Sequence, residues 1–245
     1  MFSEPPPPYE QPRPAGWRRS LLTFGGLATH PRQTMLAAAL EGKFWAPILL
    51  VALAMAAFRL TMAPEIRAEY AKPESRAHYQ TQRNITAEAA DRELQVITTA
   101  LPAILGLEAL LMVLTGVTAV AILLKLIARF KFKSPVPFRR MFTMVAWGSA
   151  IGAIPILLNL ALKLINPDLT LPTSPAAFLP DKMAGGYFYN VLLSLDVFMI
   201  IQVWLLSLGM SGLCKVSLQK SAGAVGTLFV IFIVLNAVLT SSANS

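Results

Sequence analysis

Three ionisable side chains interrupt apolar stretches of this sequence, and their types suit proton or substrate chemistry inside a membrane. Arg59, Glu108 and Asp196 each stand among apolar residues. A charged side chain at the centre of a membrane helix costs about 2.5–3.5 kcal/mol on insertion scales, so such residues are functional candidates by default. Two carboxylates with an arginine as counter-charge could carry a proton or hold a polar substrate. Glu108 and Asp196, with Arg59, therefore form the first candidate site.

The same residues also have a structural interpretation, which the sequence leaves open. Asp196 would hydrogen-bond to backbone or to an asparagine, Glu108 would face the interior of a helix bundle, and Arg59 would extend outward to water. Asparagines at a similar predicted depth complete a candidate intramembrane polar cluster, whose members are Arg59, Glu108, Asn159, Asp196 and Asn236. In an Asp196→Asn variant, normal assembly with lost activity would favour chemistry, whereas failure to accumulate would favour architecture.

A second motif raises the question of hydrolysis. The segment Gly209-Met210-Ser211-Gly212 matches the Gly-x-Ser-Gly pattern of intramembrane serine proteases. A nucleophilic serine needs a base to take its proton. The two histidines, at positions 30 and 78, both lie outside the apolar runs. We therefore expect no catalytic residues in this chain.

The small and helix-breaking residues are better explained by packing. Gly209 and Gly212 allow two helices to approach closely. Pro155 lacks an N–H group and its ring clashes one turn back, so a kink is predicted there. The single cysteine, Cys214, excludes an intramolecular disulfide. The sequence contains neither a phosphate-binding glycine loop nor a metal motif such as HExxH, so no cofactor and no metal are expected.

The elements that must position these residues follow from composition. Of the 245 residues, 55% are hydrophobic and 14% are charged, whereas ordinary soluble domains are roughly a quarter charged. Five charge-free runs of 15 to 25 residues are close to or within the 17–25 residues that a membrane-spanning helix needs. The predicted fold is an all-α integral membrane bundle of five transmembrane helices. The predicted spans are about 44–62, 99–124, 141–164, 187–213 and 222–240.

Three further segments surround the predicted spans. Residues 1–16 are rich in proline and are expected to form a disordered cytoplasmic tail. Residues 17–43 interleave aromatic and aliphatic side chains with basic ones, which favours amphipathic helices lying in the membrane interface. A hydrophilic outer insert is predicted at residues 63–97. At its end Thr86 can cap a helix that begins at Ala87 and continues into the second span.

The basic residues predict an orientation. With the N-terminus inside, thirteen lysines and arginines fall on the cytoplasmic side and seven outside, and cytoplasmic loops carry such an excess. Six of them lie in the 125–140 segment, which has no acidic residue. The bundle is therefore predicted N-inside and C-outside. The net charge of +8 is explained by this asymmetry and by attraction to anionic lipids, without nucleic acid.

Residues of the third and fourth spans carry a family resemblance. Residues 138–155 end in a proline late in the third span. They are followed by Leu195-Asp196-Val197-Phe198, a Gly-x-Ser at 209–211 and a Lys-x-Ser at 215–217. This pattern resembles the Yip family of five-span membrane proteins, named for interaction with Ypt/Rab GTPases, and in particular its bacterial branch. One position departs from the pattern, because Ile201 stands where the family has tryptophan.

The resemblance implies a non-enzymatic scaffold or accessory subunit of the bacterial inner membrane, expected in an ABC-type export or efflux complex. The implied partners are membrane lipids, an ABC-type permease or ATPase, a periplasmic adaptor, and further copies of the chain as a homo-oligomer. The alternative is a small transporter or lipid-handling protein that uses Glu108 and Asp196.

Overall fold

The computed structural model describes residues 16–166, 173–180 and 186–243, and every regular element in these ranges is helical. Residues 1–15 of the predicted tail lie outside the described residues. The α-helices of the described ranges are α1 (Gly16–Thr29), α2 (Pro31–Glu41), α3 (Trp45–Leu60), α4 (Ala63–Ala71), α5 (Pro73–Arg83), α6 (Ala87–Phe130), α7 (Phe138–Ser149), α8 (Ala153–Ile165), α9 (Tyr187–Ser194), α10 (Val197–Cys214) and α11 (Leu218–Ala243). Short 3₁₀ turns occupy Ala150–Gly152 and Pro175–Phe178.

Length and apolarity qualify four segments as membrane spans, and a bent helix pair can supply a fifth. The four are Ala87–Phe130, Phe138–Ile165, Val197–Cys214 and Leu218–Thr240. The bent pair consists of α2 and α3, whose axes turn by 106° across the short break between them. The all-α membrane fold predicted from the sequence is thus confirmed, with four to five spans. The orientation across the membrane stays a prediction.

The longest helix, α6, begins in the hydrophilic insert as predicted. Its first turn is capped by Thr86, whose hydroxyl accepts a hydrogen bond from the Ala89 N–H at 3.3 Å. At 1.5 Å per residue its 44 residues extend about 66 Å. The insert helices α4 and α5 pack along its N-terminal part. There the Tyr79 hydroxyl donates to Glu93 at 2.8 Å, and this hydrogen bond raises the pKa of Tyr79.

Helix α2 is buried within the bundle, and its predicted location at the membrane interface stays a prediction. Met35 and Ala39 are fully buried, and α2 packs between α7 and α10 in the core of the bundle. Helix α2 can approach α7 and α10 closely because the alanines at 37–39 have short side chains. Helix α1 packs on α2, and its Phe24 ring lies 4.8 Å from the Trp147 ring. The interfacial position of α1 stays a prediction.

The elbow between α2 and α3 is fixed by α7. Gly42 ends α2 in the left-handed conformation at φ 68°, which an L side chain rarely adopts. The Trp147 indole N–H donates to the Lys43 carbonyl at 2.9 Å. The Phe44 ring meets the Phe142 ring edge-on at 5.0 Å. The Lys43 carbonyl, which lies between the two helices, thereby receives a hydrogen bond. The 106° turn therefore has a fixed conformation.

Candidate functional site

The structure brings together two of the three predicted intramembrane charges. Arg59 lies in the last turn of α3 and Glu108 lies within α6, and these two helices pack against each other. The Arg59 Nη1 atom is 2.5 Å from Glu108 Oε1. The other terminal nitrogen of Arg59 is 3.9 Å from the Met112 sulfur. Arg59 is therefore the counter-charge of Glu108.

The ion pair lies on the outer surface of the bundle. The side chains of Arg59 and Glu108 remain 30% and 51% exposed, so Glu108 does not face the bundle interior. Glu108 is the one charged residue between Glu93 and Lys125 on α6. It stands about 25 Å along the helix from Lys125, within the roughly 30 Å thickness of a hydrocarbon core. A mutual ion pair is the arrangement that makes such charges tolerable in lipid.

A cleft opens beside this pair. The lateral cleft encloses about 520 Å³ between α3, α6 and α8 and is lined mainly by apolar side chains. These side chains include Met55, Phe58, Leu105, Met112 and Ile156. The Lys163 ammonium lies 5.3 Å from the centre of the Phe58 ring, close to the same end of the bundle. The lateral cleft thus has an apolar wall beside the Arg59–Glu108 ion pair.

Asp196 has a different position and a different task. The predicted fourth span, 187–213, is two helices, because α9 ends at Ser194 and α10 begins at Val197. Asp196 is the N-cap of α10, and its carboxylate accepts from the Phe198 N–H at 2.5 Å. The Thr173 hydroxyl donates to the other carboxylate oxygen at 3.1 Å. The helix of this predicted span is therefore interrupted at residues 195–196, because aspartate is favoured as an N-cap and disfavoured inside a helix.

The remaining members of the predicted cluster are distributed around the bundle. The Asn159 side chain donates to the Pro155 carbonyl within α8 at 2.9 Å. Asn236 is exposed on α11, which packs on α9 and α10. Helix α6, with Glu108, packs on α3 and α7, whereas α10 packs on α2, α7 and α11. Arg59 and Glu108 therefore form one site, and Asp196 forms another with the 173 segment.

The predicted packing and kink residues have well-defined surroundings. A Cβ atom added at Gly209 would lie 2.6 Å from Met144 Cγ on α7 and 3.2 Å from Met35 Cε on α2. One added at Gly212 would lie 3.4 Å from Leu36 on α2. Both glycines thus face the point where α10 approaches its neighbours. Pro155 is the third residue of α8, just after the 3₁₀ turn that separates α8 from α7, and proline has no N–H to donate to the carbonyl one turn back.

Ser211 makes a structural hydrogen bond at the end of α10. Its hydroxyl donates to the Val216 carbonyl at 2.7 Å, across the turn in which Lys215 takes a left-handed conformation. His30 instead contacts the Thr29 hydroxyl, and His78 lies on the insert helix α5. Within the described ranges, no three histidine, cysteine, aspartate or glutamate side chains are placed to hold a metal ion.

The N-cap assignment of Asp196 makes a direct prediction. Asparagine caps helices as well as aspartate does, so Asp196→Asn should change the free energy of unfolding by less than about 0.5 kcal/mol. Asp196→Ala should lower it by about 1 kcal/mol, because the Phe198 N–H loses its acceptor. Thermal unfolding in detergent measures both. Thr86→Ala at the cap of α6 is the matched control, with a loss similar to that of Asp196→Ala. An asparagine variant as unstable as the alanine variant would contradict the assignment.

A family model described as the Yip1 domain matches residues 25–239 of the chain. No curated protein and no solved structure matches it. The matched range extends from α1 into α11 and contains every residue of the candidate polar cluster.

Proposed function

The chain belongs to the Yip1 domain family of membrane proteins, and on that premise we propose that it acts as a non-enzymatic scaffold or accessory subunit of a membrane complex. The resemblance noted in the sequence of the third and fourth spans is thereby confirmed at the level of the family. Within the proposal, the complex is an ABC-type exporter of the bacterial inner membrane. The contacts would be to its permease, its ATPase or a periplasmic adaptor.

The observation that carries the proposal is that the intramembrane charges connect and cap helices. Arg59 joins α3 to α6 through Glu108, and Asp196 caps α10 while holding the 173 segment. Ser211, the one residue with a hydrolase-like motif, holds the turn after α10. Each group therefore has an architectural role. An architectural role of this kind supports a scaffold over a catalyst.

Two long helix faces support the scaffold proposal from another direction. Helix α6 buries one narrow stripe of side chains, flanks it with half-buried ones, and leaves others, such as Leu107 and Leu111, exposed. The stripe consists of Leu101, Leu105, Ala109, Val113, Val117, Ala121, Leu124 and Ala128. Helix α11 likewise exposes Phe232 and Leu235. In a membrane such faces contact either lipid or other membrane helices, so both faces are available to a partner.

The test is affinity purification of the full chain from native membranes in mild detergent, with identification of the proteins recovered. We expect an ABC-type permease, ATPase or adaptor in stoichiometric amount. A matched variant with Phe232→Ala and Leu235→Ala on α11 should recover less partner while the chain accumulates normally. Recovery of the chain alone, as a stable oligomer, would contradict the proposal.

A second function, lipid handling, is favoured by the lateral cleft. An apolar cleft of about 520 Å³ that ends at a charged pair suits an amphiphilic molecule entering from the bilayer. The purified chain alone, reconstituted in vesicles, would then transfer lipid. Loss of that transfer in an Arg59→Met/Glu108→Met variant would assign it to the cleft. Asp196 has no role in lipid handling at the lateral cleft, because its carboxylate caps α10.

A further inference from the structure

The turns after α6 and after α10 form a second cleft at one end of the bundle. This basic cleft encloses about 510 Å³ and is lined by Lys131, Phe132, Val216, Gln219, Lys220 and Gly223. Lys131 follows the last residue of α6, and Lys220 lies in the first turn of α11. Two segments about ninety residues apart in the chain thus place two ammonium groups around one opening.

The two lysines of the basic cleft have no acidic partner among the described residues. Neither takes part in an ion pair of that part of the chain, and no residue lining the cleft is acidic. Neighbouring cations are engaged differently. Lys125 lies 5.7 Å from the centre of the Phe138 ring, and Arg129 lies 5.9 Å from that of Phe130. The basic cleft therefore holds two positive charges that an external anion can neutralise.

The surroundings of the two lysines are apolar and near the membrane boundary. Phe132 and Val216 are half-buried in the wall of the basic cleft. Phe130 and Leu218, at the adjoining ends of α6 and α11, are exposed apolar side chains. Both helices are candidate spans, so their ends mark the level of lipid head groups. A ligand that fits this environment has an anionic head and an apolar body.

The backbone of both turns is fixed by hydrogen bonds. The Ser134 N–H donates to the Ala128 carbonyl at 2.9 Å. The Val216 N–H donates to the Ser211 carbonyl at 3.2 Å, and the Ser211 hydroxyl donates back to the Val216 carbonyl. The lining of the basic cleft is thus held in place before a ligand arrives, which lowers the entropic cost of binding.

We propose that the basic cleft is a binding site for the phosphate head group of an anionic phospholipid, with Lys131 and Lys220 as the cationic ligands of the phosphate. Basic pockets between membrane helices are known to hold such head groups. The apolar wall at Phe132 and Val216 would contact the upper part of the lipid chains.

The experiment titrates the purified full chain in detergent with phosphatidylglycerol and measures lipid occupancy by native mass spectrometry. Each lysine near an anionic surface contributes about 1 kcal/mol. Lys131→Gln with Lys220→Gln should therefore weaken binding about tenfold or more. The matched control is Lys125→Gln with Arg129→Gln, which removes the same charge from the same end of the bundle. It should change the affinity by less than about threefold, since its cations lie on aromatic rings.

Three results would overturn the proposal. Equal weakening in the two double variants would show a diffuse electrostatic effect in place of a site. Equal occupancy by phosphatidylcholine, which has no net charge, would remove the role of the lysines. Competition by inorganic phosphate at the same concentration as the lipid would assign the basic cleft to soluble phosphate. A Lys131→Arg/Lys220→Arg variant should retain binding, and unchanged thermal unfolding without lipid verifies that each variant is folded.

Discussion

Replacing Gly209 by leucine is expected to lower the free energy of unfolding by about 3 kcal/mol or more. A Cβ atom at this position would already lie 2.6 Å from Met144 Cγ and 2.7 Å from Met144 Sδ. The rest of the leucine side chain would have to displace Met35 as well. Since α2, α7 and α10 meet here, the substitution would separate three helices at once. Unfolding in detergent, followed by near-UV circular dichroism, measures the loss.

Gly116→Leu is the matched control for this prediction. Gly116 also lies in a candidate span, on α6, but a Cβ atom there would have no neighbour within 4 Å. Leucine is a better helix former than glycine by up to about 1 kcal/mol, so this variant should be as stable as the parent or slightly more stable. Gly209→Ala should be intermediate, because the methionine side chain can partly yield. If Gly209→Leu and Gly116→Leu unfolded at the same temperature, close packing at Gly209 would be refuted.

Local sequence signals predict those features of the fold that a single segment determines. Thr86 followed by an apolar run predicts both the start of α6 and its cap, and the structure has both. The break at Asp196 carried a similar signal, because aspartate is a favoured N-cap. The residues on both sides of Asp196 are nevertheless apolar enough for one continuous span, and hydropathy alone therefore predicts no break there. Hydropathy measures the length of a span but is insensitive to a two-residue interruption.

The position of α2 could not be derived from its own residues. Its alanine-rich sequence has no marked apolar face, and the feature that buries it lies about 170 residues later, at Gly209 and Gly212 on α10. Close packing between distant segments depends on which helices become neighbours. The sequence of one segment alone does not predict its neighbour. The 106° elbow has the same origin, since Trp147 of α7 holds the Lys43 carbonyl.

The sequence predicts that Arg59, Glu108 and Asp196 lie at similar depths in the membrane, but it does not predict which of them are neighbours. Position along a span gives a residue's depth in the membrane, and on that basis Arg59, Glu108 and Asp196 were grouped together. Depth does not give the direction around the bundle axis. The structure supplies that second coordinate and separates the Arg59–Glu108 pair from Asp196. An arginine and a glutamate at similar depth on sequential spans are a reasonable pair, because consecutive elements are usually neighbours.

Removing one member of the Arg59–Glu108 pair is expected to cost about 2–3 kcal/mol of stability in a bilayer, and removing both is expected to restore most of it. Arg59→Met leaves a carboxylate on α6 without its partner at membrane depth, where an unpaired charge is costly. Glu108→Met should cost less, because the arginine near the end of α3 can extend toward water. In the double variant Arg59→Met/Glu108→Met, two apolar side chains face lipid and the penalty disappears. The double-mutant cycle gives the coupling energy directly, by unfolding in bicelles or nanodiscs.

The Glu88–Arg92 pair on the same helix provides the control for that cycle. It lies in the hydrophilic insert with its side chains 78% and 77% exposed, and an i,i+4 pair in water contributes about 0.3–0.5 kcal/mol. The coupling of Arg59 with Glu108 should exceed the coupling of Glu88 with Arg92 by about 1.5 kcal/mol or more, because lipid does not screen the charges as water does. Equal coupling in the two cycles would place Glu108 in water and would shift the membrane boundary on α6 inward past this residue. Since Glu108 stands about 25 Å from Lys125 along the helix, the remaining apolar length would then be too short for the roughly 30 Å hydrocarbon core of an untilted span.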